Sequence, residues 1–248
     1  MIRLDKVHKK YGEQNVLDGI SLDIKTGSIT TIIGKSGGGK SVLIRQMIGL
    51  EKPDSGAIYI EEKNIVKMKP PELNKVRRRF GVLFQDGALF DSLSVEENVA
   101  FPVREHMKLS QRALAEKVEE KLAEVGMSQH KHKFPGQLSG GMRKRVGLAR
   151  ALALEPDIVF FDEPTSGLDP ITQGLIYRLI AETHMQRLST YVLVSHDIQG
   201  ALRISDEVMM LFNGKISAKA SPEEILSSTD PVIKQFITGS ASGPIPIE

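Results

Sequence analysis

Apolar and polar residues alternate at the start of the chain. Ile2 and Leu4 are separated by polar positions, and the same alternation returns at Ile20, Leu22 and Ile24. A period of two predicts half-buried antiparallel strands, here joined by a turn near Tyr11-Gly12. Ile58 and Ile60 add a short strand after the turn signal Pro53-Asp54-Ser55-Gly56. From about residue 86 to 150 the pattern becomes helical. Leu114, Val118, Leu122 and Val125 recur at spacings of four, four and three, and Gly126 then offers a C-terminal cap. A strand–helix–strand rhythm follows, with residues 158–161 as a buried strand, 175–185 as a helix and 191–194 as another strand. Alternation of this kind implies a parallel sheet covered on both faces. Residues 239–246, rich in Gly, Ser and Pro, cannot form a regular element and read as an extended tail.

Composition narrows the class. With 248 residues the chain can bury a substantial core. No apolar stretch approaches the roughly 20 residues needed to cross a bilayer, and the start carries no signal-peptide pattern. The absence of cysteine excludes disulfides, thiolate catalysis and cysteine-based metal sites, and it fits a reducing cytoplasm. A net charge of +2 is only mildly basic. Arg77-Arg78-Arg79 and Arg143-Lys144-Arg145 read as solvated helix faces, because aromatic partners for nucleic acid are scarce.

Three motifs carry chemistry. The first, Gly34-Lys35-Ser36-Gly37-Gly38-Gly39-Lys40-Ser41, follows the apolar run 29–33 and precedes a helical pattern beginning at Val42. Strand, glycine loop and helix in that order form a phosphate-binding P-loop. Glycines let backbone N–H groups wrap a polyphosphate, and the helix N-terminus adds donors and the positive end of a dipole. Lys40 is suited to the β- and γ-phosphates and the Ser41 hydroxyl to Mg²⁺, so the loop predicts binding of a nucleoside triphosphate. The second motif ends the buried strand at Asp162-Glu163-Pro164, at the carboxyl end of a strand, where open α/β sheets bind ligands. Alternation along the strand is expected to aim the two carboxylates differently. Asp162 suits the Mg²⁺ shell and Glu163 a general base that polarises the attacking water. In the third motif, Leu138-Ser139-Gly140-Gly141-Met142, Ser139 can cap the helix and the glycines expose its first N–H groups to an anion.

Leu-Ser-Gly-Gly-Met between a P-loop and a Phe-Asp-Glu-Pro strand resembles the ABC signature motif, with Met142 where Gln is more frequent. The resemblance covers essentially the whole chain and is that of an ABC-transporter ATPase subunit, using ATP and Mg²⁺. It implies a P-loop NTPase core with an antiparallel β subdomain and an α-helical subdomain at about 86–150, all within residues 1–238, and a tail at 239–248. Gln85 matches the Q-loop glutamine that senses Mg²⁺ and the γ-phosphate, Asp169 belongs to the D-loop, His196 matches the switch histidine, and Tyr11 the aromatic that stacks on adenine. The family pairs two subunits head to tail, so that one chain's P-loop faces the other's Ser139, Gly140 and Gly141.

Residues 84–93 and 97–106 are similar to the ATPase of Mla phospholipid-transport systems, which power MCE-type transporters between the inner and outer membranes of Gram-negative bacteria. That similarity implies a homodimer at the cytoplasmic face of the inner membrane, a transmembrane permease, a periplasmic MCE protein and a STAS-domain regulator, with no nucleic acid. Non-transport ABC ATPases of iron–sulfur-cluster assembly or cell division, and ATPases of amino-acid importers, share the same motifs. Phe236, Ile237, Ile245 and Ile247 are expected to seek an apolar surface, on a second subunit or the regulator.

Overall fold

The computed structural model describes residues 1–246; Ile247, one of the apolar tail residues, lies outside them. In chain order the strands are β1 (Ile2–Tyr11), β2 (Gln14–Ile24), β3 (Ile29–Ile33), β4 (Ser55–Ile60), β5 (Lys63–Asn64), β6 (Phe80–Leu83), β7 (Ile158–Asp162), β8 (Thr190–Val194), β9 (Glu207–Phe212) and β10 (Lys215–Ala220). The helices are α1 (Lys40–Met47), α2 (Pro70–Arg77), α3 (Val95–His106), α4 (Gln111–Glu124), α5 (Gly140–Leu152), α6 (Pro170–Arg187), α7 (Ile198–Leu202), α8 (Pro222–Leu226) and α9 (Pro231–Thr238). Two compact units divide the chain. One comprises residues 1–69 and 193–248, the other residues 70–192.

In the first unit the alternating segments form an antiparallel sheet in the order β2-β1-β4-β5. Ile2, Leu4, Ile20, Leu22, Ile24, Ile58 and Ile60 are all buried, so the period-two stripe is the core face of this sheet. Strand β3 instead pairs in parallel with β9, and β10 returns antiparallel along β9. All five residues of β3 are buried, as expected of a strand covered on both faces.

The second unit contains the helical region. Strands β6 and β7 pair in parallel, and β7 is buried along its whole length. Ser94 caps α3 in a reciprocal capping box with Glu97, and Ser110 caps α4. Asn98 is fully buried on α3. Its amide donates to the carbonyls of Phe90, Leu93 and Ser94, and its oxygen accepts from the Phe90 N–H at 2.8 Å. One side chain thus holds the irregular segment 90–94 in shape.

The tail finds its apolar surface in its own chain. Ile245, Phe236 and Ile237 pack against Ile33, Leu202, Val208, Met210, Ile225 and Ile233. Gly239, at φ 65°, ends α9 and lets the chain turn back. The buried Gln235 then fixes the return: its amide donates to the carbonyls of Ser240 and Ile245, while its oxygen accepts the Ile245 N–H. A Cβ on Gly243 would overlap the Gln235 side chain, so that position requires glycine. Gln235→Leu is expected to cost about 1–3 kcal/mol, because the Ser240 and Ile245 backbone groups lose this side-chain partner. Equilibrium urea unfolding checks this.

Candidate nucleotide site

In the first unit, β3 runs directly into the P-loop. Gly34 leaves the strand against β9, where a Cβ would overlap the carbonyl oxygen of Leu211. Gly37 and Gly39 have φ of 73° and 96°, and a Cβ on Gly39 would lie 2.9 Å from the Val16 carbonyl. The loop is therefore a backbone cradle that side chains would fill. Gly39 is also the N-cap of α1 and brings no side chain to its first turn, where no acidic residue stands. Positive helix-end potential and a row of amides fit a polyphosphate. Lys40 is buried, and its ammonium donates to the carbonyls of Gly34 at 2.8 Å and Lys35 at 3.0 Å. The cation is thus held within the loop, with Ser41 next along α1.

Two other candidate residues of this unit, His196 and Tyr11, lie on separate segments. The Ser195 N–H donates to the Ile32 carbonyl at 3.4 Å, which sets Ser195 and the exposed His196 beside the strand that feeds the loop. Asp197 caps α7 immediately afterwards. Tyr11 ends β1 and is 46% exposed, with the Lys9 ammonium 5.4 Å from its ring centroid. Its hydroxyl donates to Glu51, and this hydrogen bond, more than burial, raises its pKa above the ordinary tyrosine value. The tail reaches the loop as well. Lys35 donates to the Pro246 carbonyl at 3.3 Å, and Lys35, Gly38, Val16, Phe212, Ile245 and Pro246 help line a cavity of about 430 Å³.

In the second unit, the carboxyl end of β7 carries both acids. Asp162 is the last strand residue, and Glu163 has left the strand with φ 53°. Pleat alternation is therefore not what separates the two carboxylates; a left-handed turn at Glu163 does. That conformation costs a non-glycine residue about 1–2 kcal/mol. Asp162 and Glu163 are 8% and 9% exposed, so both acids are largely withdrawn from water. Gln85 follows β6, and its amide donates to the Ser166 hydroxyl at 3.3 Å, joining the Q-loop to the segment after Glu163. Asp169 accepts from the Ile171 and Thr172 N–H groups and, at 2.6 Å, from the Thr172 hydroxyl. The Thr172 hydroxyl bond is the main reason its carboxyl stays below the usual range. This carboxylate is the N-cap of α6.

The signature segment folds as its sequence predicts. Ser139 accepts the Met142 N–H at 3.3 Å and caps α5. A Cβ on Gly141 would overlap Thr172, which is 2.5 Å away, so the starts of α5 and α6 are in close contact. The basic run after it does not fold as expected. Arg143 donates to the Leu138 carbonyl, Arg145 to those of Val125 and Gly126, and Lys144 is 4% exposed. Arg143-Lys144-Arg145 is a set of internal carbonyl donors and not a solvated face. No spacing rule marks this, since the acceptors lie on other segments. Asn98 and Gln235 are buried polar residues with no structural role assigned from the sequence, and Lys144 is one that the sequence placed on a solvated face.

Phe84, Ala88, Phe90, Phe101, Pro102 and Arg150 line an apolar groove of about 320 Å³ in the same unit. The rings of Phe90 and Phe101 stand 4.8 Å apart within it. Among the described residues no helix is long and apolar enough to cross a membrane.

Residues 17–166 match the family described as ABC transporter. The chain is 43% identical over 235 residues to the intermembrane phospholipid transport system ATP-binding protein MlaF of Escherichia coli (strain K12), covering 95% of this chain and 87% of that protein. It is 42% identical over 244 residues to the "Probable ribonucleotide transport ATP-binding protein mkl" of Mycobacterium tuberculosis (strain ATCC 25618 / H37Rv), covering 98% and 68%. Among solved structures, the dimeric structure of the bacterial ABC transporter cassette MJ0796 superposes with a TM-score of 0.84 at 33% identity, covering 90% of this chain and 99% of that one. That architecture is the P-loop NTPase fold that the family resemblance implied. The chain belongs to the ABC transporter family and is one of its ATPases.

Proposed function

We propose that this ATPase powers phospholipid movement between two membranes through a separate permease. The observation that carries the reading is its 39–43% identity to MlaF proteins along 95–99% of this chain and 87–93% of theirs. The mkl relatives match as closely but extend well beyond it, with 68–70% of their length covered.

Within that reading, the amides of Gly34 to Ser41 and the Lys40 ammonium bind the phosphates, and Tyr11 stacks on adenine. As the family resemblance implies, Ser41, Asp162 and Gln85 would hold Mg²⁺, which would supply positive charge to the phosphates. Glu163 takes a proton from the attacking water, its low exposure keeping bulk solvent from competing for the carboxylate. His196 adds a hydrogen bond to the γ-phosphate. Ser139, Gly140 and Gly141 at the start of α5 serve the nucleotide of a second copy of this chain, where more amides stabilise developing charge. The groove at Phe90 and Phe101 receives an apolar segment of the permease.

The test is affinity purification from the protein's own membranes, with bound proteins and extracted lipids identified. Phospholipid with a permease, an MCE protein and a STAS-domain regulator is the expected result. Nucleotide cargo, an amino-acid permease, or cluster-assembly or division partners would each overturn it.

A further inference from the structure

Lys144 sits on the second turn of α5, 4% exposed. Its ammonium donates to two backbone carbonyls from different segments: that of Gln85, after β6, and that of Glu163, after β7, at 3.2 Å. Both segments carry side chains that the proposed reaction uses, Gln85 and Glu163. The lysine comes from the helix that opens with Ser139.

Three features show that the site is built. First, a buried ammonium is expensive unless its protons are bonded. Burial pushes the Lys144 pKa down, and Asp86, Glu163 and Asp162 oppose that with negative charge. Second, α5 comes very close to the Q-loop. A Cβ on Gly147 would lie 2.7 Å from Leu83 and 3.3 Å from the backbone of Gly87. One turn further on, Arg150 donates to the carbonyls of Gly87 and Ala88 at 2.8 and 2.7 Å. Third, Glu163 is in the left-handed region, and its carbonyl accepts both the Ser166 N–H and the Lys144 ammonium. A strained backbone of this kind persists only when its surroundings hold it.

We propose that Lys144 is a positioning residue: its ammonium ties the Q-loop backbone to the backbone of Glu163 and so sets the aim of the Glu163 carboxylate. The role rests on Glu163 being the general base. The Lys144 ammonium reaches two backbone carbonyls. It acts through the peptide of Glu163, and a misplacement of about 1 Å at a reacting group can cost on the order of 10²-fold in rate.

The experiment uses the full chain with its permease complex and compares Lys144→Met with Lys144→Gln. Methionine fills the space but donates nothing, so the Gln85 and Glu163 carbonyls both lose the ammonium, while that of Glu163 keeps the Ser166 N–H. Glutamine keeps two N–H donors on one nitrogen while removing the charge. For Lys144→Met, kcat should fall at least about tenfold with KM for ATP changed less than about threefold; Lys144→Gln should stay within about threefold of the parent. Adding Lys144→Met to Glu163→Gln should cause no further loss, because the base it positions is already gone. A folded Lys144→Met enzyme with unchanged kcat overturns the proposal. So does a Lys144→Gln enzyme that binds ATP but loses tenfold, or a double variant whose losses multiply as in general destabilisation. If Lys144→Met does not fold, Lys144→Gln decides by the same thresholds. Full turnover in Glu163→Gln alone would instead remove the base assignment, an outcome separable from a failure at Lys144.

Discussion

Replacing Glu163 with glutamine is expected to lower ATP turnover by about 10²–10⁴-fold while ATP still binds, the range typical for loss of a positioned base. The substitution is nearly isosteric and leaves the peptide untouched. The carbonyl of residue 163 keeps its hydrogen bonds from Ser166 and Lys144, so the strained turn survives. What disappears is the carboxylate held at 9% exposure at the end of β7. The P-loop lies on another stretch of chain and is not altered. Steady-state phosphate release, paired with equilibrium binding of ATP, separates the two effects. Turnover above about a tenth of the parent would remove Glu163 as base.

Lys40→Ala is expected to fail differently, with ATP affinity and turnover both falling by at least about tenfold. The reason is visible in the loop. The Lys40 ammonium is buried and bonded to the carbonyls of Gly34 and Lys35. Alanine removes the cation proposed to meet the phosphates and takes its hydrogen bonds from the Gly34 and Lys35 carbonyls, of which the second keeps the Gly38 N–H. A charge-assisted hydrogen bond is worth roughly 1.5–3 kcal/mol, which is tenfold or more in binding. Titration with a fluorescent ATP analogue measures the first loss and phosphate release the second. Unchanged affinity would separate Lys40 from phosphate recognition.

The phosphate loop was legible because its residues are neighbours along the chain. A strand, a glycine turn and a helix start fix Gly34 to Ser41 with little help from the rest of the molecule. The same holds for Ser139 at the start of α5 and for the period-two stripe from Ile2 to Ile24, which is the buried face of the antiparallel sheet. Asp162 and Glu163 were legible as a pair of acids at the carboxyl end of a buried strand, but what separates them was not. A strand pattern assumes that alternation continues, whereas a left-handed residue turns the chain at Glu163.

What only the tertiary structure decided are the contacts made by long polar side chains with distant carbonyls. By sequence, Lys144 is one of three basic residues and has no distinguishing mark. Burial and two acceptors, 59 and 19 residues away, give it a place beside the proposed base. Gln235 and the tail follow the same logic. Residues 239–246 have no periodicity, yet Gln235 and a groove of apolar side chains hold Ile245 on its own chain. Local pattern reports which backbone shape and which face are cheap for a segment. It cannot report which carbonyls a folded chain brings to one ammonium, because that depends on how closely helices such as α5 approach their neighbours, here through Gly147.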